Sequence, residues 1–283
     1  MMKNQEEKIL LVLEEARQHY LSRNYPEAIK KYAWLEKQLK DDPANLPVIW
    51  IEKGWSHYHQ KNFQECITYL KKAKNHKLLN QQQKFDCLRL IGFSYASLKN
   101  SKLAIKYLEE TLGFEVGDDD KKYIYFELGK IFYIEGDLPQ AKSCLEKASK
   151  IFTVGEQKYH LSINYYLGFI YFYGKDYEKA KSYFNEIIRK AQDDKSRATG
   201  YFGIAHIFHD ERQFFALIEV CKKIQKLDNK FYDKETLVFF LCQAYLHLKK
   251  FDQLRLFLGE LIRIYPEGRY RSYYKIFQDA IND

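Results

Sequence analysis

Residues 125–148 read YFELGKIFYIEGDLPQAKSCLEKA, and this stretch decides the fold. Apolar residues recur at helical spacing on both sides of Glu135-Gly136-Asp137, a polar turn followed by Pro139 at a helix start. Gly129 lies within the first helix and Ala141 early in the second. Two antiparallel helices approach closely only where small side chains meet, and a large residue such as Phe132 then fills the adjoining space. The stretch therefore reads as a packed helical hairpin.

The same shape recurs in both directions along the 283 residues. The small residue of the first helix falls at Ala16, Gly54, Gly92, Gly129, Gly168, Ala205 and Cys242, at successive spacings of 38, 38, 37, 39, 37 and 37. Its counterpart in the second helix falls at Ala28, Cys66, Ala104, Ala141, Ala180, Leu217 and Leu254, each 12 residues later. A fixed inner spacing with a variable outer one means that the hairpin is rigidly specified. Extra length must enter the second helix or the junction between hairpins. Such a period is the mark of a repeat array.

The pattern resembles the tetratricopeptide repeat family, whose units read W-x2-L-G-x2-Y, then A-x3-F, A and P, over about 34 residues. Leu128-Gly129, Phe132, Ala141, Leu145 and Ala148 match it, as do Leu167-Gly168, Tyr171, Ala180 and Phe184. Trp50, Gly54 and Cys66 fit in the second unit, and Pro266 takes the terminal proline place in the seventh. The resemblance implies an all-α, right-handed α-α superhelix, a solenoid over residues 1–283. Its repeats lie near 9–46, 47–84, 85–121, 122–160, 161–197, 198–234 and 235–268, and a capping helix follows at 269–283. The sixth unit is degenerate, with Leu217 where alanine is usual. The segment 113–122, which includes Asp118-Asp119-Asp120, is expected as a solvated loop.

Composition narrows the function. Basic residues exceed acidic ones by 46 − 38 = 8, spread along the chain rather than gathered into the stripe of a nucleic-acid binder. The 5 cysteines form no C-x-x-C pair, and an odd number argues against a complete disulfide framework. A reducing cytoplasm is the simplest compartment. No run reads as a secretory leader or a membrane span. The G-x-S-x-G, G-x-x-x-x-G-K and G-x-G-x-x-G motifs are absent, so no enzyme and no cofactor are expected. His206 and His209 stand three apart without further ligands, and no metal site is expected.

The resemblance further implies that the first helices line a concave groove. With the small residue as position 8, positions 5, 9 and 12 share one helix face. They supply Trp55, Tyr58, Arg89, Phe93, Phe126, Lys130 and Tyr133, then Tyr165, Phe169, Phe172, Phe202, His206 and Phe239, with no Asp or Glu among them. Exposed aromatic surface marks an interaction site, although such rings also serve as core. The expectation is a cytoplasmic scaffold or adaptor holding an apolar or aromatic peptide in this groove, with Arg89 and Lys130 available to an acidic group on it. The family's Lys/Asn/Arg carboxylate clamp is not reproduced. A peptide-responsive regulatory sensor and a single-stranded RNA-binding repeat protein are the alternatives. Nucleic acid is disfavoured, because Arg17, Arg89 and Lys130 alone are cationic on that face. Self-association through Tyr270–Phe277 is a further expectation.

Overall fold

The computed structural model describes residues 2–282, with side chains from residue 5 onward. All regular structure among them is helical, and the chain forms two compact units, Met1–Ile151 and Phe152–Asp283. The first unit contains four hairpins: α1 (Met2–Leu21) with α2 (Tyr25–Gln38), α3 (Leu46–His59) with α4 (Phe63–Lys74), α5 (Gln81–Ser97) with α6 (Ser101–Leu112), and α7 (Asp118–Glu135) with α8 (Leu138–Ile151). The second contains three: α9 (Gln157–Tyr173) with α10 (Tyr177–Lys190), α11 (Asp194–Asp210) with α12 (Phe214–Leu227), and α13 (Lys234–His247) with α14 (Phe251–Ile264). A short 3-10 turn, Arg271–Tyr273, then leads into α15 (Tyr274–Asn282).

One turn geometry explains the constant inner spacing. In every hairpin the residue seven beyond the small position takes a left-handed backbone, with φ from 54° at Lys249 to 83° at Gly136. The next N–H donates to the carbonyl five residues back, as from Asn62 to His57 (2.9 Å), Asp137 to Phe132 (2.9 Å) and Gln213 to Phe208 (2.8 Å). This closes the first helix and fixes where the second begins. Apart from Gly136, every left-handed residue is Lys or Arg. The left-handed cost of roughly 1–2 kcal/mol is partly offset by placing a cation at a helix C-terminus, worth about 0.3–1 kcal/mol.

The small first-helix residue makes room for a large one sixteen positions on. A Cβ built on Gly54, Gly92, Gly129 or Gly168 would come 2.8, 2.6, 2.6 or 2.5 Å from Leu70, Leu108, Leu145 or Phe184 respectively. Each of these large side chains is fully buried, a burial worth about 1.5–3 kcal/mol apiece. Phe184 also lies beneath Gly203, so one ring joins α9, α10 and α11. Leu217, in alanine's place, is fully buried as well, which the degenerate sixth unit accommodates.

The extra repeat length is shared between the junctions and the first helices, of which α5, α7, α9 and α11 span 17 or 18 residues against 14 for α3 and α13. Second helices span only 12 to 14 residues, whereas 228–233 form a six-residue connection between α12 and α13. The acidic run is not loop, as the sequence suggested. Asp118, Asp119 and Asp120 form the first turn of α7, where a helix N-terminus favours carboxylates. At the chain's far end Phe277 is fully buried and Tyr274 nearly so. Tyr274 donates its hydroxyl to the Tyr265 carbonyl at 2.6 Å, tying α15 to the end of α14.

Candidate functional site

In the first unit the inner helix face is charged and internally paired. The Arg89 guanidinium lies over the Trp55 and Phe85 rings, 5.6 and 5.3 Å from their centroids, and pairs with Asp86 at 2.7 Å. Lys130 sits over Phe126 at 5.4 Å and pairs with Glu127 at 2.8 Å. Arg17 pairs with Glu52 at 2.6 Å. The expectation that Arg89 and Lys130 await an acidic partner is corrected: both already hold a carboxylate. These carboxylates stand at positions 2 and 6, which lie on the same face as 5, 9 and 12. Reading three positions alone made the face look free of acid. Trp55, Tyr58, Phe93, Phe126 and Tyr133 are half-buried, with Tyr58 edge-on to His59 and Phe63.

The second unit differs at the same positions. Its inner stripe consists of Ser162, Tyr165, Tyr166, Phe169 and Phe172 on α9, Thr199, Phe202, Gly203, His206 and His209 on α11, and Thr236, Phe239, Phe240, Gln243 and Leu246 on α13, with no Asp, Glu, Lys or Arg. Phe169 and Phe202, expected as groove surface, are 3% exposed and form its floor instead. Their centroids lie 6.4 Å apart, and Tyr165 packs on Phe169 at 4.9 Å. His206 is enclosed by Phe202, Phe240, Phe169 and Phe172, 4.6 to 5.7 Å away. Burial among these rings lowers its pKa to about 4, so it stays neutral. Burial lowers His209 as well.

Phe239 is corrected too. Tyr270 stacks on it at 3.9 Å, and Tyr273 and Phe277 pack beside it. Arg269 anchors this cover by pairing with Asp233 and, at 3.2 Å, with Glu235, while the Tyr270 and Thr236 hydroxyls meet at 2.9 Å. The chain's own C-terminal segment thus occupies the last repeat's inner position, leaving the stripe accessible at α9 and α11.

A cavity of about 1060 Å³ opens at the leading ends of α9 and α11. The inner stripe supplies Ser162, Tyr165, Tyr166 and Thr199 to its wall, and the α12–α13 connection supplies Phe231 and Tyr232. The Tyr165 and Tyr232 hydroxyls hydrogen-bond at 2.7 Å, and burial raises the Tyr165 pKa. Phe202 reaches Phe231 at 5.1 Å and Tyr232 at 5.8 Å, so cavity wall and stripe floor form one aromatic surface. Phe231 and Tyr232 escaped the sequence reading because they sit in a junction rather than on a first helix. The repeat lengthened beyond 34 residues was the signal that such junctions carry added structure.

Among the described residues no cluster of His, Cys, Asp and Glu could hold a metal ion, and no helix is long and apolar enough to cross a membrane. The cysteines are unpaired thiols. Burial pushes Cys66, Cys87 and Cys242 up to about 12, which leaves them protonated and unreactive.

Hairpins stacked on a Gly/Ala seam, with a large residue filling each seam, define an α-helical repeat protein. Residues 123–152 and 164–194 each match the tetratricopeptide repeat family. The chain carries tetratricopeptide repeats at these two stretches. It is similar to the C-terminal part of a TPR repeat-containing protein from Cytophaga hutchinsonii, with 17% identity over 93% of this chain and 98% of the other and a TM-score of 0.64. It is also similar to the apo form of RapI, with 12% identity over 97% and 82% and a TM-score of 0.71. A Rap protein complexed with competence and sporulation factor matches with 16% identity over 96% and 80% and a TM-score of 0.57. At these identities the likeness is one of fold. No curated protein matches the chain in sequence.

Proposed function

We propose that this chain is a protein-interaction scaffold whose second unit captures an extended peptide segment through aromatic and aliphatic anchors. The observation that carries the reading is the contrast between the two inner faces. Arg17, Glu52, Asp86, Arg89, Glu127 and Lys130 charge the first, whereas α9, α11 and α13 carry no charged side chain at the same positions. An uncharged aromatic stripe reached by solvent at Phe172 and His209 offers large contact area at low rotamer cost. The solved Rap protein complexed with competence and sporulation factor supports the reading by analogy of fold alone.

The test is selection of displayed random linear peptides on the intact chain. The expected pool is rich in Phe, Tyr, Trp and Leu. The double variant Phe172→Glu, Leu246→Glu should recover none of it while keeping a helical circular-dichroism spectrum, because both side chains are only half-buried. Recovery of the same peptides by that variant would remove the inner face from the site.

A further inference from the structure

We infer that the cavity at the leading ends of α9 and α11 binds carboxylate groups of the captured peptide, through Lys158, Lys195 and Lys230. This rests on the peptide-capture reading and names the chemistry of the ligand.

The cavity wall carries those lysines and also Glu156, Asp193 and Asp228. It is formally neutral, so the inference turns on which charges are already committed. Asp193 accepts from the Ser196 N–H at 2.8 Å and from the Ser196 hydroxyl at 2.7 Å. Those bonds hold its carboxyl below the usual range. Glu156 accepts from the Thr153 N–H and hydroxyl, at 2.9 and 3.1 Å. Asp228 accepts from the Lys230 N–H at 3.1 Å. Each carboxylate is thus folded back onto the backbone of its own turn.

The lysines are differently placed. All are exposed, and none makes an ion pair among the described residues. Lys158 and Lys195 hold the same place in successive repeats, ten residues before Gly168 and Ala205. They therefore flank the cavity from neighbouring first helices, while Lys230 approaches from the α12–α13 connection. A flexible ammonium with unspent donors is a point-charge partner for a carboxylate. Below the lysines lie Tyr165, Tyr166 and Phe231, a wall suited to an aromatic or aliphatic side chain. At about 1060 Å³ the space is at the upper end for a small-molecule pocket, and it admits part of a peptide. The fitting ligand has Asp, Glu or a terminal carboxylate next to an apolar anchor.

The peptide selection is run on the intact chain and on Lys158→Glu, Lys195→Glu, Lys230→Glu in parallel. These exposed sites leave the core untouched. The chain should enrich acidic residues beside the aromatic anchors. The affinity of a synthetic acidic peptide from that pool should fall about tenfold or more in the triple variant, and as far when its Asp and Glu are replaced by Asn and Gln. It should also weaken with added salt. A pool without acidic enrichment, or acidic peptides held equally by the triple variant, overturns the inference. Aromatic peptides that the triple variant keeps but Phe172→Glu, Leu246→Glu loses would leave the inner face standing and overturn the lysine site alone. No enriched pool from the intact chain would overturn both.

Discussion

At the residue scale, single glycines do different work according to what their missing Cβ would meet. Alanine at Gly168 would press into the Phe184 ring at 2.5 Å, against a side chain already fully buried. Gly168→Ala should cost about 1–3 kcal/mol in urea unfolding, as overpacking does. Gly259, midway along α14, has open space around that position. Gly259→Ala should instead stabilise by about 0.5–1 kcal/mol through helix propensity alone. Equal effects at the two sites would refute this account of the seam. His206 sets a pH dependence. Its folded pKa, about 4, lies below the ordinary 6.5, so the unfolded chain takes up the proton first. The stability it contributes is complete above pH 6.5 and is lost as pH falls toward 4, on the order of 3 kcal/mol in all. The urea midpoint of His206→Leu should therefore fall less than the parent's over that window.

At the element scale, the hairpin turn and the C-terminal helix are the devices that matter. Gly136 is the one left-handed turn residue without a Cβ, and Gly136→Ala should cost about 1 kcal/mol by thermal melting. The α15 helix is short and held chiefly by Phe277, with Tyr274 beside it. Phe277→Ala should cost about 3–5 kcal/mol and speed amide exchange in α13 and α14, because it also loosens the cover over Phe239. Unchanged exchange there would mean that α15 is not what closes the last hairpin. The expected self-association through Tyr270–Phe277 must be read against this docking. Tyr270, Tyr274 and Phe277 face the chain's own α13 and α14, which leaves Tyr273 and Ile276 as the exposed apolar residues of the segment.

At the scale of the whole molecule, a net charge of +8 conceals an uneven distribution. At the five inner-stripe positions compared between the units, charge is confined to the first unit and paired there. Lys130→Gln should accordingly leave peptide recovery within about twofold of the parent, since that lysine serves Glu127. A marked loss would bring the first unit into the site. The sequence by itself determined the seven hairpins, because a buried seam demands a small residue at a fixed interval and the left-handed turn fixes the twelve-residue step. It determined which residues share the inner face, because helical period alone decides that. Only the tertiary structure decided which of them a ligand can reach. Phe169 and Phe202 look like Phe172 in the repeat register, but neighbouring helices bury the first two, and Tyr270 covers Phe239 from thirty-one residues downstream. The Arg17–Glu52 pair was likewise invisible, because it spans two hairpins, whereas Asp86–Arg89 and Glu127–Lys130 stand three apart on one helix. The cavity beside Tyr165 depends on Tyr232, 67 residues away, in a junction that no repeat pattern specifies. Periodicity records what each unit has in common, whereas accessibility depends on how particular side chains from different units fill the space between them.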